Sequence, residues 1–416
     1  MASSRRGRFS PGVVALVAAL GWFGVSAVAQ GAQAGGPGRN LFHEHLGATE
    51  AEIDAKLASV WEHYVRGDEA TERLVYPSGG DAAYVLDVGN DDVRSEGMSY
   101  GMMIAVQLDH RAEFDRLWTW VKRHMYHAEG PRRGYFAWQC ARDGRHIDPG
   151  SASDGEVWFA TVLFLASHRW GDGDGIFDYG AEAQALLREM RRGDRGGGIT
   201  AIFDPTHRQV VFAPTTEAAQ LTDPSYHVPA FTGHWARWDA DSDGREFWAA
   251  VTSESRAFLR RAAHPSTGLM PEYAHFDGSP FTATTFGSGK GDFRFDAWRT
   301  LSNVALDHAM WAADPWQIEQ SNRVLRLLGR FGAAPPNQFT LDGRPLSEDV
   351  SPGLVAMAAV AGLAADEELA RPFVQALWDM APPSGRWRYY DGLLYFLGLL
   401  QASGRFALHG PDVGSR

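Results

Sequence analysis

The sequence predicts an all-α fold in which helical hairpins close into a ring. Three observations carry that expectation. Apolar residues recur at three- and four-residue spacing in about eleven or twelve stretches. No run of alternating apolar and polar residues marks a set of strands. The gaps between helical stretches are alternately short and long, and nothing after residue 40 has the composition of a linker. A helical solenoid would compete, but no motif recurs at a fixed period. Long loops on one side of a closed ring would gather at one mouth and form a cleft.

The elements follow in order. Arg5, Arg6 and Arg8 precede an apolar run from Val14 to Val28, and Ala27-Val28-Ala29 stands before Gln30. Residues 1–29 therefore read as a cleaved secretory signal, and the mature protein is expected to be secreted or periplasmic. The run is short for a membrane anchor, so no membrane contact is expected after cleavage. Residues 30–40 read as a flexible leader and 41–410 as one domain. Ile53, Leu57, Val60, Trp61 and Tyr64 mark the first helix, with Thr49 and Glu52 spaced as a capping box. Further helical patterns cover 96–110, 111–127, 153–170, 179–192, 224–237, 243–263, 296–312, 316–331, 351–363, 365–379 and 384–401. Residues 71–95, 129–152 and 264–295 are irregular, and 195–224 has room for a short hairpin.

Charge and cysteine content narrow the function. Removal of residues 1–29 takes away three positive charges and lowers the net charge from −12 to −15. Such a surface does not attract nucleic acid or anionic lipid. Cys140 is the only cysteine, so no internal disulfide can form and the core must supply the stability. The chain has no His-Glu-x-x-His, Gly-x-Ser-x-Gly or phosphate-loop pattern. Asp239-Ala-Asp-Ser-Asp-Gly244 resembles the start of a calcium loop, but Ala250 stands where the bidentate glutamate belongs. No metal or other cofactor is expected.

Three carboxylates stand where an irregular segment meets a helix: Glu96, Asp154 and Asp296. Each could be a cap that satisfies backbone donors. In a helical ring, however, such ends can meet at one face. Converging carboxylates repel one another and raise at least one pKa, so that acid and base forms coexist. Arg94 and Arg299 could pair with them or bind a ligand hydroxyl. Tyr84, Tyr135, Trp138, Tyr226, Trp235, Trp387, Tyr389 and Tyr390 lie in the loop regions, and about half are expected to line a pocket. Flat aromatic faces beside carboxylates suit sugar rings, whose C–H faces stack and whose hydroxyls need hydrogen bonds.

Longer stretches carry a resemblance. Arg94-Ser-Glu-Gly-Met-Ser-Tyr-Gly-Met102, Ala152-Ser-Asp-Gly-Glu156, His168-Arg-Trp-Gly171 and Phe295-Asp-Ala-Trp-Arg299 resemble glycoside hydrolase family 8. Within it, the likeness is to reducing-end xylose-releasing exo-oligoxylanases and spans roughly residues 41–405. The resemblance implies an (α/α)6 barrel, an inverting mechanism and xylooligosaccharides as ligands, for an enzyme expected to be a monomer. It implies Glu96 as proton donor, Asp296 as the carboxylate that activates water, and Asp154 as a carboxylate beside the central sugar. Arg94, Tyr100, Trp138, Tyr226, Arg299 and Tyr390 are implied to bind substrate. Met98, Met102 and Met103 could give Glu96 the apolar surroundings a donor needs. Exo action further implies a blocking loop with a histidine beside a proline. The corresponding segment, residues 339–353, has Ser351 before Pro352, with Arg344 or Asp349 as substitute clamps. Action as an endo-β-1,4-xylanase or a less strict oligoxylanase is the alternative that this departure leaves open, and a non-catalytic secreted carbohydrate-binding protein is the alternative outside catalysis.

Overall fold

Among the described residues, six helices are buried along most of their length, and such helices fit only inside a second layer of helices. The computed structural model describes residues 38–193 and 195–411, and its helices sort in this way. In order they are α1 (Leu41–Leu46), α2 (Glu50–Arg66), α3 (Ser95–Gln107), α4 (Arg111–His124), α5 (Ser153–Trp170), α6 (Tyr179–Met190) and α7 (Pro229–Trp238). They continue as α8 (Ser242–Ala262), α9 (Arg299–Trp311), α10 (Trp316–Leu328), α11 (Pro352–Ala361), α12 (Glu367–Asp379) and α13 (Arg388–Ala402).

The inner ring is α3, α5, α7, α9, α11 and α13, and it closes where α13 packs on α3. Between α5 and α7, Trp235 donates its indole N–H to Thr161 Oγ1 at 3.2 Å. The outer helices pair with their predecessors: α4 on α3, α6 on α5, α8 on α7, α10 on α9 and α12 on α11. The sixth pair joins α13 to α2 across the ends of the chain. The result is an all-α (α/α)6 barrel. An outer helix buries one stripe only, as in α12, where Ala370, Phe373, Val374 and Leu377 are buried at helical spacing. In α3, by contrast, every residue except Glu96 is buried.

Several local expectations change. Residues 224–237 do not form one helix. A 3-10 turn, Pro224–Tyr226, comes first, and α7 starts afresh at Pro229, which has no N–H to lose at a helix start. Likewise, a 3-10 turn at Phe295–Trp298 precedes α9. The 195–224 hairpin reduces to isolated bridges, Ile199 with Thr215 and Phe203 with Val210. Two small antiparallel sheets lie in the long loops. One pairs Val75–Ser78 with Ala82–Val85; the other joins Val93–Arg94, Gln139–Cys140 and His146–Asp148. Residues 1–29, expected to be a secretory signal, and residues 30–37 lie outside the described residues. The end of the leader is anchored: Asn40 caps α1 through His43 N–H, and Arg39 pairs with Glu44. Among the described residues, no helix is long and apolar enough to cross a membrane.

Candidate active site

Five of the six inner helices present their N-terminal ends to one cleft of about 710 Å³. Glu96 comes from the first turn of α3, Asp154 from that of α5, and Tyr389 and Tyr390 from that of α13. Tyr226 and Asp296 stand on the 3-10 turns that precede α7 and α9. The close approach of α3 and α13 depends on Gly97, where a Cβ would stand 2.5 Å from the Tyr389 ring. Gly155 likewise lets α5 close on Ser95, which a Cβ would meet at 2.7 Å.

The carboxylates are not helix caps. The N-cap positions of α3 and α5 are Arg94 and Ala152, and neither makes a side-chain cap bond. The three acids converge instead on the Arg299 guanidinium, which is only 4% exposed. Its Nη1 donates to Glu96 Oε2 at 3.3 Å and Asp154 Oδ2 at 3.2 Å, and also contacts the Tyr100 hydroxyl. Its Nη2 stands 2.9 Å from Asp296 Oδ1, an ion pair outside hydrogen-bond angles. Tyr389 donates its hydroxyl to Glu96 Oε1 at 3.2 Å, and Tyr390 donates to Asp296 Oδ1 at 3.4 Å. Glu96 and Asp296 thus stand apart by a guanidinium's width and two polar contacts. An inverting pair needs roughly 6.5–9.5 Å between its carboxyl groups to admit a water beside the sugar.

Burial pushes the Glu96 carboxyl up to about 8. Asp154 and Asp296 repel its charge further, while Arg299 opposes the rise. Burial also raises Asp154 to about 6, with Arg299 opposing and Asp296 adding repulsion. Met98, Met102 and Met103 are fully buried in α3; Met98 Sδ accepts from Val85 N–H and Met103 Sδ from Gln107, within the barrel core.

Two further acids lie buried nearby. Asp223 is fully buried; its Oδ1 accepts from Ser225 N–H at 2.7 Å, and burial lifts its pKa well above the usual carboxylate range. Glu156 accepts from Phe136 N–H at 3.0 Å, and burial pushes it up to about 8. An unfolded chain releases these protons near the ordinary carboxylate range, about 4.5, while the folded chain holds them. Stability is therefore expected to fall as pH rises from about 5 towards 8. Thermal unfolding of wild type and Glu156→Gln over that range checks this. Gln keeps the acceptor and removes the proton, so its slope should be smaller; equal slopes would refute the contribution of Glu156.

Of the expected substrate contacts, Arg94, Trp138, Tyr226 and Tyr390 line the cleft. Tyr100 and Arg299 do not; they stand behind the carboxylates and hold them. Arg94 is itself engaged by Asp87 at 3.2 Å and Asp92 at 2.9 Å, and its guanidinium lies 5.6 Å from the Trp138 ring centre. Among the eight loop aromatics, Trp138, Tyr226, Trp387, Tyr389 and Tyr390 reach the cleft, whereas Tyr84, Tyr135 and Trp235 belong to the core.

None of residues 339–353 borders the cleft. Ser351 is buried and takes a hydrogen bond from Asn337 Nδ2 at 2.8 Å, while Arg344 and Asp349 point to solvent. The Ser351 hydroxyl is therefore engaged within the fold. The Asp239–Gly244 turn serves α8: Asp241 accepts from Asp243 N–H, and Asp239 accepts from the Trp248 indole.

Phe212, Tyr273, Phe286 and Phe295 also line the cleft and were not anticipated. Phe212 packs on Tyr273 at 4.4 Å and Phe286 at 5.4 Å between ring centres. Nothing in the local sequence marks these three, because the contact joins segments about 60 to 70 residues apart. Phe295, by contrast, adjoins Asp296 and could have been noticed.

The family model for glycosyl hydrolases family 8 matches residues 80–404. The reducing-end xylose-releasing exo-oligoxylanase Rex8A of Paenibacillus barcinonensis is 43% identical, over 91% of this chain and 99% of that protein. The reducing-end xylose-releasing exo-oligoxylanase of Halalkalibacterium halodurans is 39% identical, over 90% and 95%. A family 8 xylanase from Teredinibacter turnerae, solved as a catalytic mutant with xylohexaose, superposes with a TM-score of 0.87. It is 41% identical, over 90% of this chain and 98% of that one.

Proposed function

The chain belongs to glycosyl hydrolase family 8, and from that premise we propose that it releases xylose from the reducing end of β-1,4-xylooligosaccharides with inversion. One observation carries the chemistry: three carboxylates share a single buried guanidinium at the floor of an aromatic-walled cleft.

In this reading Glu96, protonated below about pH 8, gives its proton to the leaving glycosidic oxygen. Asp296 takes a proton from water, whose oxygen bonds to the anomeric carbon on the opposite face as the bond to the leaving oxygen breaks. Asp154 stands beside the sugar between them. Arg299 and Tyr100 position the carboxylates without touching the sugar. Trp138, Tyr226, Trp387 and Tyr390 supply stacking faces and hydroxyls for successive rings. Action as a monomer, outside the cytoplasm and free of the membrane, completes the proposal.

A second reading is endo-xylanase action. It is favoured by the cleft's lack of any lining residue from 339–353, the segment expected to block it beyond the first leaving sugar. Xylotetraose labelled at the reducing end separates the two readings. Labelled xylose as the sole early labelled product is expected. Early labelled xylobiose would overturn release of single sugars and favour the endo reading.

A further inference from the structure

We infer that Phe295 is a positioning residue whose left-handed backbone aims Asp296 at the cleft, an inference resting on the role proposed for Asp296. The chain makes a sharp corner here. Phe293 pairs with Phe339 in both directions, with N–H to O distances of 2.9 and 3.0 Å. Arg294 continues extended, at φ −162° and ψ 158°. Immediately afterwards the 3-10 turn leads into α9. The first residue of that turn, directly after the extended arm, is Phe295, at φ +39°.

Left-handed backbone crowds the Cβ of any residue but glycine, and for a bulky side chain it is a genuine outlier. The other non-glycine residues with positive φ, among those described, are Asp91, Asp109, Arg208 and Ala312; Phe295 is the one aromatic. Such a conformation persists only where its surroundings hold it. Here the Tyr390 hydroxyl reaches both the Phe295 carbonyl oxygen at 3.3 Å and Asp296 Oδ1 at 3.4 Å. Burial does not account for the residue, because the side of the chain it occupies leaves it 36% exposed. The ring instead forms part of the cleft wall. Phe295 therefore has two separable duties. Its backbone turns the chain so that Asp296 meets Arg299, and its ring meets the substrate.

Four variants separate the duties: Phe295→Gly, Phe295→Asn, Phe295→Ala and Phe295→Val, each assayed for kcat and KM on xylotetraose. All lose the ring, so KM should rise in all, by roughly three- to tenfold. Glycine and asparagine accept left-handed backbone and should keep kcat within about threefold of wild type. Alanine should lose about five- to thirtyfold in kcat relative to glycine, and β-branched valine more.

This ranking runs opposite to what apolar packing alone would give. A kcat for Phe295→Ala or Phe295→Val that equals or exceeds that of Phe295→Gly overturns the inference. If the valine variant does not fold, the alanine–glycine comparison decides. An active Asp296→Ala variant would overturn the role of Asp296 itself. A failed ranking beside an inactive Asp296→Ala would refute only the role of Phe295.

Discussion

Glu96→Ala is expected to lower kcat by roughly 10²–10⁴ while leaving the fold intact. The Glu96 side chain is largely buried but keeps an opening to the cleft, unlike the rest of α3, so removing its carboxylate opens no large cavity in the helix packing. It also removes one of the three carboxyl partners of the Arg299 guanidinium, which leaves that cation paired with Asp154 and Asp296. The loss should therefore appear in the chemistry and not in thermal unfolding. The pH profile provides the second test. A general acid works only while protonated, and burial holds Glu96 up at about 8. In wild type, kcat/KM should fall as pH rises through about 8. Glu96→Gln keeps the shape and the contact to Tyr389, but it has no proton to titrate. Its residual rate should lose that basic limb. Full activity in Glu96→Ala, or an unchanged basic limb in Glu96→Gln, would remove Glu96 from the donor role.

The fold and the three acids were legible for the same reason. α3, α5 and α11 are apolar on nearly every side, and a helix of that kind belongs inside another layer. An inner ring with parallel helices then brings its N-terminal ends to one face. Glu96, Asp154 and Asp296 could be picked out because each stands at such an end. Arg299 was recognisable as a partner for the acids but not as their common centre. That property requires three helices to be placed relative to one another. Motif proximity does not say which side of a helix a ring faces: the Tyr100 hydroxyl contacts Arg299, and Tyr100 is not among the residues that line the cleft. The Phe212, Tyr273 and Phe286 wall was illegible for a different reason. No single segment contains it, and each ring alone looks like ordinary core. Ser351, which stands where the resemblance implies a histidine beside the proline, has its hydroxyl taken up by Asn337, a contact that joins two segments and is not visible in either alone.

Arg299→Met should be the more damaging change to the molecule as a whole. The methionine fills much of the arginine's space, so the loss is mainly of charge and hydrogen bonds. Glu96, Asp154 and Asp296 are then left facing one another at the floor of the cleft with no cation among them. Removing one partner of a buried ion pair costs about 3–5 kcal/mol when the remaining charge has no other partner. Here the acids can relieve part of that cost by taking up protons. Arg299 holds both Glu96 and Asp154 down against burial, so its loss must raise both further. The destabilisation should accordingly be largest near pH 8, where the acids take up protons least readily, and smaller near pH 5. Activity should fall by roughly 10²–10³ at either pH, because Asp296 loses the contact that fixes it for its role as base. Arg299→Lys is not expected to rescue either property, since one ammonium cannot present two terminal nitrogens to three carboxylates. Urea unfolding at pH 5 and pH 8, with kcat/KM measured on the same preparations, would decide. Equal destabilisation at the two pH values would mean that the carboxylates do not respond to Arg299. Near-normal activity in Arg299→Lys would mean that one positive charge, without the guanidinium's geometry, is enough.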